Sequence, residues 1–105
     1  SGMKVVISTG ARADLAEIQD FIAEDNPTRA ESFVEELVSC CEDLGDTHHR
    51  YPVVPRYRHV GFRRRVHKKY LIFYIVRGTT VEIARVIHGA RDYERLLGRD
   101  DDPPV

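Results

Sequence analysis

The chain has 105 residues, 42% hydrophobic and 31% charged, with a formal net charge of −1. That is the size and balance of one ordinary globular domain with one modest core. No apolar stretch approaches the ~20 residues of a membrane span, and the two cysteines, Cys40 and Cys41, are adjacent and poorly placed to bridge each other, which excludes a disulfide framework.

The N-terminus lacks the basic start, long apolar run and small-residue cleavage site of a signal peptide. Together with free cysteines, this leads to the expectation of a reducing cytoplasm, with no membrane contact. Ser1-Gly2 ahead of Met3 reads as a tag remnant. A single domain is expected over residues 3–98, with 99–105 as a polar, flexible tail.

Lys4-Val5-Val6-Ile7-Ser8 is rich in β-branched residues and predicts a first strand. From about Ala11 to Glu24, Leu15, Ile18, Phe21 and Ile22 recur at helical spacing between acidic residues. Asn26-Pro27 breaks that helix and starts another, with Asn26 as its N-cap. The second helix carries Ala30, Phe33, Val34, Leu37, Val38, Cys41 and Leu44 on one face, and Gly45 is placed to end it. The two helices form an antiparallel hairpin with a shared apolar face.

A loop with Pro52 and Pro55 follows, and Arg56 to Val60 reads as a short edge strand or more loop. Phe62 to Lys68 alternates as a strand with one charged face. Arg64 shares the parity of Phe62 and Val66, toward the core, and Arg65 faces outward. Tyr70 to Val76 is apolar on both faces and predicts a central strand. Gly78 supplies a turn, and Val81 to His88 forms the last strand, where Arg85 shares the parity of Ile83 and Ile87. Asp92 caps a short C-terminal helix ended by Gly98. The fold class is α+β: an N-terminal strand and a helical hairpin packed on a small, mostly antiparallel sheet, in the order β-α-α-β-β-β.

Charge is divided along the chain. Residues 1–50 hold 4 Lys/Arg against 11 Asp/Glu, and residues 51–105 hold 12 against 6. Arg56, Arg58, Arg63, Arg64, Arg65, Lys68 and Lys69 cluster on one short segment. Such density marks a surface for an anion or an acidic partner, whereas isolated exposed pairs contribute little. Arg85 serves either binding or a structural ion pair. His88 at a strand end is either a general acid or base, or a ring packed locally. His48-His49 lacks metal-site spacing, so no metal is expected. Serine-hydrolase, P-loop and dinucleotide motifs are absent from the sequence, and no cofactor is expected.

Ala13-Asp14-Leu15-x-x-Ile18-x-x-Phe21-Ile22, Asn26-Pro27-x-x-Ala30, Tyr70-x-Ile72-Phe73-Tyr74-x-Val76 and Val81-x-Ile83-x-Arg85-Val86-Ile87-His88-x-x-Arg91-Asp92 occur in that order. As a set, covering roughly Val5 to Leu97, they resemble ParE toxins of the RelE/ParE superfamily. The resemblance implies the toxin of a type II toxin–antitoxin pair, neutralised by an acidic antitoxin, usually of ribbon-helix-helix type. It implies inhibition of DNA gyrase, with no specific DNA binding by the toxin alone. RelE-type relatives instead cut mRNA on the ribosome. In that branch the candidates here are Arg64, Lys68, Arg85, His88 and Tyr93, among which no convincing acid/base pair can be assigned. Antitoxin or target binding falls to Arg56, Arg63, Arg65, Lys69 and Arg91. A toxin fold that binds its antitoxin without toxicity is the third reading.

Overall fold

The computed structural model describes residues 2–55 and 58–89. Its elements are β1 (Lys4–Ile7), α1 (Thr9–Ala23), α2 (Pro27–Thr47), a 3-10 turn (His48–Arg50), β2 (Arg63–His67), β3 (Tyr70–Arg77) and β4 (Thr80–His88). The expected order and α+β class are both present. The C-terminal helix expected from Asp92 lies outside the described residues. Among the described residues, no helix is long and apolar enough to cross a membrane.

Each helix starts where a short polar side chain can satisfy its orphan N–H groups. Ser8 accepts from the Ala11 N–H at 3.1 Å, and Asn26 accepts from the Arg29 N–H at 3.0 Å ahead of Pro27. Gly45 does not end α2. The helix runs on to Thr47 because this glycine serves a close approach: the Met3 N–H donates to the Gly45 carbonyl at 2.9 Å. A Cβ at Gly45 would lie 2.4 Å from the Met3 carbonyl oxygen, so β1 could not pass the helix at this distance over any other residue.

The sheet runs β1-β4-β3-β2, with β1 parallel to β4 and the other pairs antiparallel. The helical hairpin carries the chain from β1 at one edge to β2 at the other, and the β2-β3-β4 meander then brings β4 back parallel beside β1. Between β1 and β4 the register joins Val5 to Val81 and Ile7 to Ile83. Gly78, at φ 60°, turns β3 into β4. Pro52 to Val54 lies along the first half of β2: the Val54 N–H donates to Phe62 at 2.8 Å and the Arg64 N–H to Pro52 at 3.2 Å.

The main core lies between helices and sheet. Leu15 and Ile18 from α1 and Phe33, Leu37, Cys41 and Leu44 from α2 meet Tyr70, Ile72, Tyr74, Val81, Ile83 and Val86. Each such side chain contributes about 1.5–3 kcal/mol on burial. Cys41 is one of these small hydrophobes, as expected. Phe21, expected on the apolar face, is 53% exposed. On the opposite face of the sheet Val54 covers Leu71, Phe73 and Ile87.

Strict alternation fails in β4. Tyr74 pairs with Ile83, but the preceding Phe73 pairs with Arg85, so Ala84 is a β-bulge residue. The extra residue reverses the parity of everything after it. Ile83 and Val86 therefore both enter the main core, and Ile87 joins the opposite face.

Candidate functional site

The basic residues lie on β2, on the β2–β3 turn and at the end of β4, and the structure separates them by face. Arg63, Arg65 and His67 pair with Tyr74, Ile72 and Tyr70, whose side chains enter the main core. They therefore lie on the helix side. Arg65 does not face outward: its Nη1 donates to the Cys40 carbonyl at 2.9 Å and to Asp43 at 3.1 Å, and the guanidinium lies 5.1 Å from the Tyr51 ring centroid. Arg63 donates to the Tyr51 carbonyl at 2.5 Å. The sequence reading reversed the two faces because it placed Val66 inward, yet Val66 is 57% exposed.

Arg64 lies on the other face, in one cross-strand row with Phe73 and Arg85. Among the described residues, the side chains of Arg64 and Lys69 form no ion pair. Lys68 sits at φ 55° in the two-residue turn closed by His67 and Tyr70, a left-handed conformation uncommon outside glycine. The end of β4 abuts this turn: the Gly89 N–H donates to the Lys69 carbonyl at 2.8 Å. His88 stands across from Tyr70, ring edge to face at 5.2 Å. Tyr70 in turn touches Phe33, so His88 is on the helix side. Arg64 and His88 thus project from opposite faces of the sheet. Arg56, Arg91 and Tyr93 lie outside the described residues.

Arg85 is held by an unforeseen partner. Its Nε and Nη2 donate to the two carboxylate oxygens of Asp14 at 2.7 and 2.8 Å, and the Val86 N–H donates to the same carboxylate at 2.9 Å. The reason is topological. β1 pairs with β4 only as far as Ile83, so the next stretch of β4 has no strand beside it. The start of α1 fills the gap. The Ser8 N–H donates to Ile83 and the Ser8 hydroxyl to Ala84, both at 3.0 Å, and Asp14 takes the Val86 N–H. A buried carboxylate is tolerable here because a bidentate guanidinium and a backbone N–H satisfy it.

The sequence carried a signal for this pair: Asp14 shares the helical spacing of Ala11, Leu15 and Ile18, and an acid on an apolar face needs a cation. A second unforeseen group lies where α2 meets β2. His67 Nε2 is 3.1 Å from Glu36, which also accepts from Arg29 at 2.7 Å. Those two bonds, from Arg29 first and then His67, hold the Glu36 carboxyl at about 2, well below the usual carboxylate range. Tyr74 donates its hydroxyl to the His48 carbonyl under the 3-10 turn, and burial pushes its phenol up to about 12. Among the described residues, no group of His, Cys, Asp and Glu side chains is arranged to hold a metal.

The fold is shared with toxins of known structure. A structure described as a chromosomal ParDE toxin–antitoxin system from P. aeruginosa superposes with a TM-score of 0.69 at 22% identity, over 82% of this chain and 95% of that one. The RelBE2 toxin–antitoxin complex from Mycobacterium tuberculosis gives a TM-score of 0.64 at 25% identity, over 84% of this chain and 99% of its counterpart. No curated protein sequence matches the chain significantly. The family model for ParE toxin of type II toxin–antitoxin system, parDE, matches residues 5–93. The chain therefore belongs to the ParE toxin family and is the toxin of a type II toxin–antitoxin system.

Proposed function

We propose that this toxin acts by inhibiting DNA gyrase and is neutralised by a cognate acidic antitoxin. One observation carries the choice of a non-enzymatic mechanism: among the described residues, the candidate groups for an RNase are not gathered around one point. Cleavage through the 2′-OH requires a base, an acid and cations around one phosphate. Arg64 and His88 lie on opposite faces of the sheet, and the Arg85 guanidinium is committed to Asp14. The ParE family match supports the gyrase reading in the same direction.

Antitoxin recognition uses the cations that no internal acid takes up. Arg64 and Lys69, with Lys68 on the turn between them, offer charge to the carboxylates of an extended acidic segment. Arg63 and Arg65 contribute what remains after their bonds to Tyr51, Cys40 and Asp43.

The test is a supercoiling assay with purified toxin, gyrase and relaxed plasmid. Inhibition at toxin concentrations comparable with the enzyme, reversed by the antitoxin, is expected; full supercoiling at micromolar excess would sink the gyrase reading. The second reading, a ribosome-dependent RNase, is favoured by the likeness to the RelBE2 structure. It predicts A-site cuts in messages on translating ribosomes, lost in His88→Ala. Toxin that neither inhibits gyrase nor cuts mRNA, yet binds its antitoxin, would be the non-toxic module.

A further inference from the structure

The junction of α2 and β2 holds a chain of groups that neither reading of the toxin uses. Cys40 and Glu36, four residues apart, share one face of α2. Between them stands His67 of β2. Its Nδ1 is 3.5 Å from Cys40 Sγ, and its Nε2 is 3.1 Å from Glu36 Oε1. Glu36 is itself fixed, its other oxygen accepting from Arg29 at 2.7 Å. The imidazole packs beside Phe33, with centroids 5.8 Å apart.

This geometry selects a tautomer. A carboxylate can only accept, so Nε2 carries the proton toward Glu36 and Nδ1 turns its lone pair to the thiol. The result is a nucleophile, a base in contact with it, and an acid orienting the base, the order found in activated cysteines. Cys40 is half-buried. The charged groups around it are Glu36 and Asp43 of α2 and Arg65 of β2.

Burial pushes the Cys40 thiol up, with Arg65 as the opposing cation. A standing thiolate is therefore disfavoured, and the proton must leave as the sulfur attacks, which is what an adjacent base provides. Cys41 is the internal contrast: it is 0% exposed, and burial pushes its thiol up to about 12.

We propose that Cys40 is a base-assisted thiol that exchanges with low-molecular-weight disulfides, a site of reversible S-thiolation on this toxin. Cys40 Sγ attacks one sulfur of R–S–S–R as its proton passes to His67 Nδ1. The Sγ–S bond forms while the S–S bond of the disulfide breaks. The departing thiolate collects the proton from His67 and leaves as RSH. Cys40 is oxidised to the mixed disulfide, and half of the reagent is reduced to thiol.

The test uses the folded full chain and 5,5′-dithiobis(2-nitrobenzoate) as the disulfide. One fast-reacting thiol per chain is expected, lost in Cys40→Ser and kept in Cys41→Ser. His67→Gln should slow it by about tenfold or more. It should also change the pH profile of the reaction, leaving a rate that climbs steadily as the thiolate forms. An unchanged or faster rate in His67→Gln, or equal reaction at Cys41, overturns the proposal. Should His67→Gln fail to fold, Glu36→Gln takes its place at the surface: a slower rate supports the relay, and an unchanged one rejects it.

Discussion

Arg85 and Asp14, 71 residues apart, meet through two parallel hydrogen bonds of 2.7 and 2.8 Å. The pair fastens the first helix to the last strand where the sheet has run out of strands. The Arg85 side chain is 40% exposed while that of Asp14 is 9% exposed, so the guanidinium also shields the carboxylate from an otherwise apolar surround.

This sets the first expectation. Asp14→Ala removes the acceptor of the Val86 N–H and leaves Arg85 without its counter-ion. A loss of about 2–3 kcal/mol in urea unfolding is expected, below the range of a fully buried pair because Arg85 reaches water. A loss under 0.5 kcal/mol would mean the contact is incidental.

Gly45→Ala tests the β1–α2 approach. In an exposed helix interior this change stabilises by roughly 0.5–1 kcal/mol. Here the new methyl would meet the Met3 carbonyl at 2.4 Å, and backbone cannot move aside cheaply. The sign should reverse, with a net loss of about 1–3 kcal/mol and faster hydrogen exchange in β1. Stabilisation would show that β1 is not seated as described.

Leu37 is 0% exposed at the centre of the main core. Leu37→Ala should cost about 2–5 kcal/mol, the spread reflecting how far Phe33 and the sheet close over the cavity. Calorimetry or denaturant titration measures it, and a cost below 1 kcal/mol would contradict the packing.

The cations should divide into two kinds. Arg64→Glu and Lys69→Glu break no internal ion pair, so stability should stay within about 0.5 kcal/mol, while association with the antitoxin slows by about tenfold or more at low salt. Arg65→Glu should lower stability as well, since it removes the bonds to Cys40 and Asp43. Surface-plasmon kinetics and thermal melts on the same samples separate the two; equal behaviour would refute the division.

Glu36 predicts a pH dependence. Its carboxyl is depressed to about 2 from an ordinary 4.5 by Arg29 and then His67. A depressed acid stabilises the fold above its unfolded value and loses that contribution as pH falls through the folded one. The contribution should therefore be complete above about pH 4.5 and fade toward pH 2. The effect is small, because the carboxylate is exposed and screened. Carboxyl NMR shifts would follow it, and a Glu36 midpoint in the ordinary carboxylate range would contradict the bonding.

The elements themselves were determined by the sequence, because helical spacing, the Ser and Asn starts, Pro27 and a doubly apolar strand are local signals. The helical hairpin, the central strand and their order need no knowledge of neighbours. Tertiary structure alone decided the direction of the cations. One bulge at Ala84 reversed the parity after Ile83, and the inward turn of Arg63, Arg65 and His67 depended on where α2 and Tyr51 lay. Alternation says that successive residues face opposite ways; it cannot say which way is in when an exposed valine and a partnered arginine exchange their usual places. Asp14 and Arg85 stood in plain view as an acid on an apolar helix face and a cation in an apolar strand. Only the absence of β1 beyond Ile83, a property of the assembled sheet, made them partners.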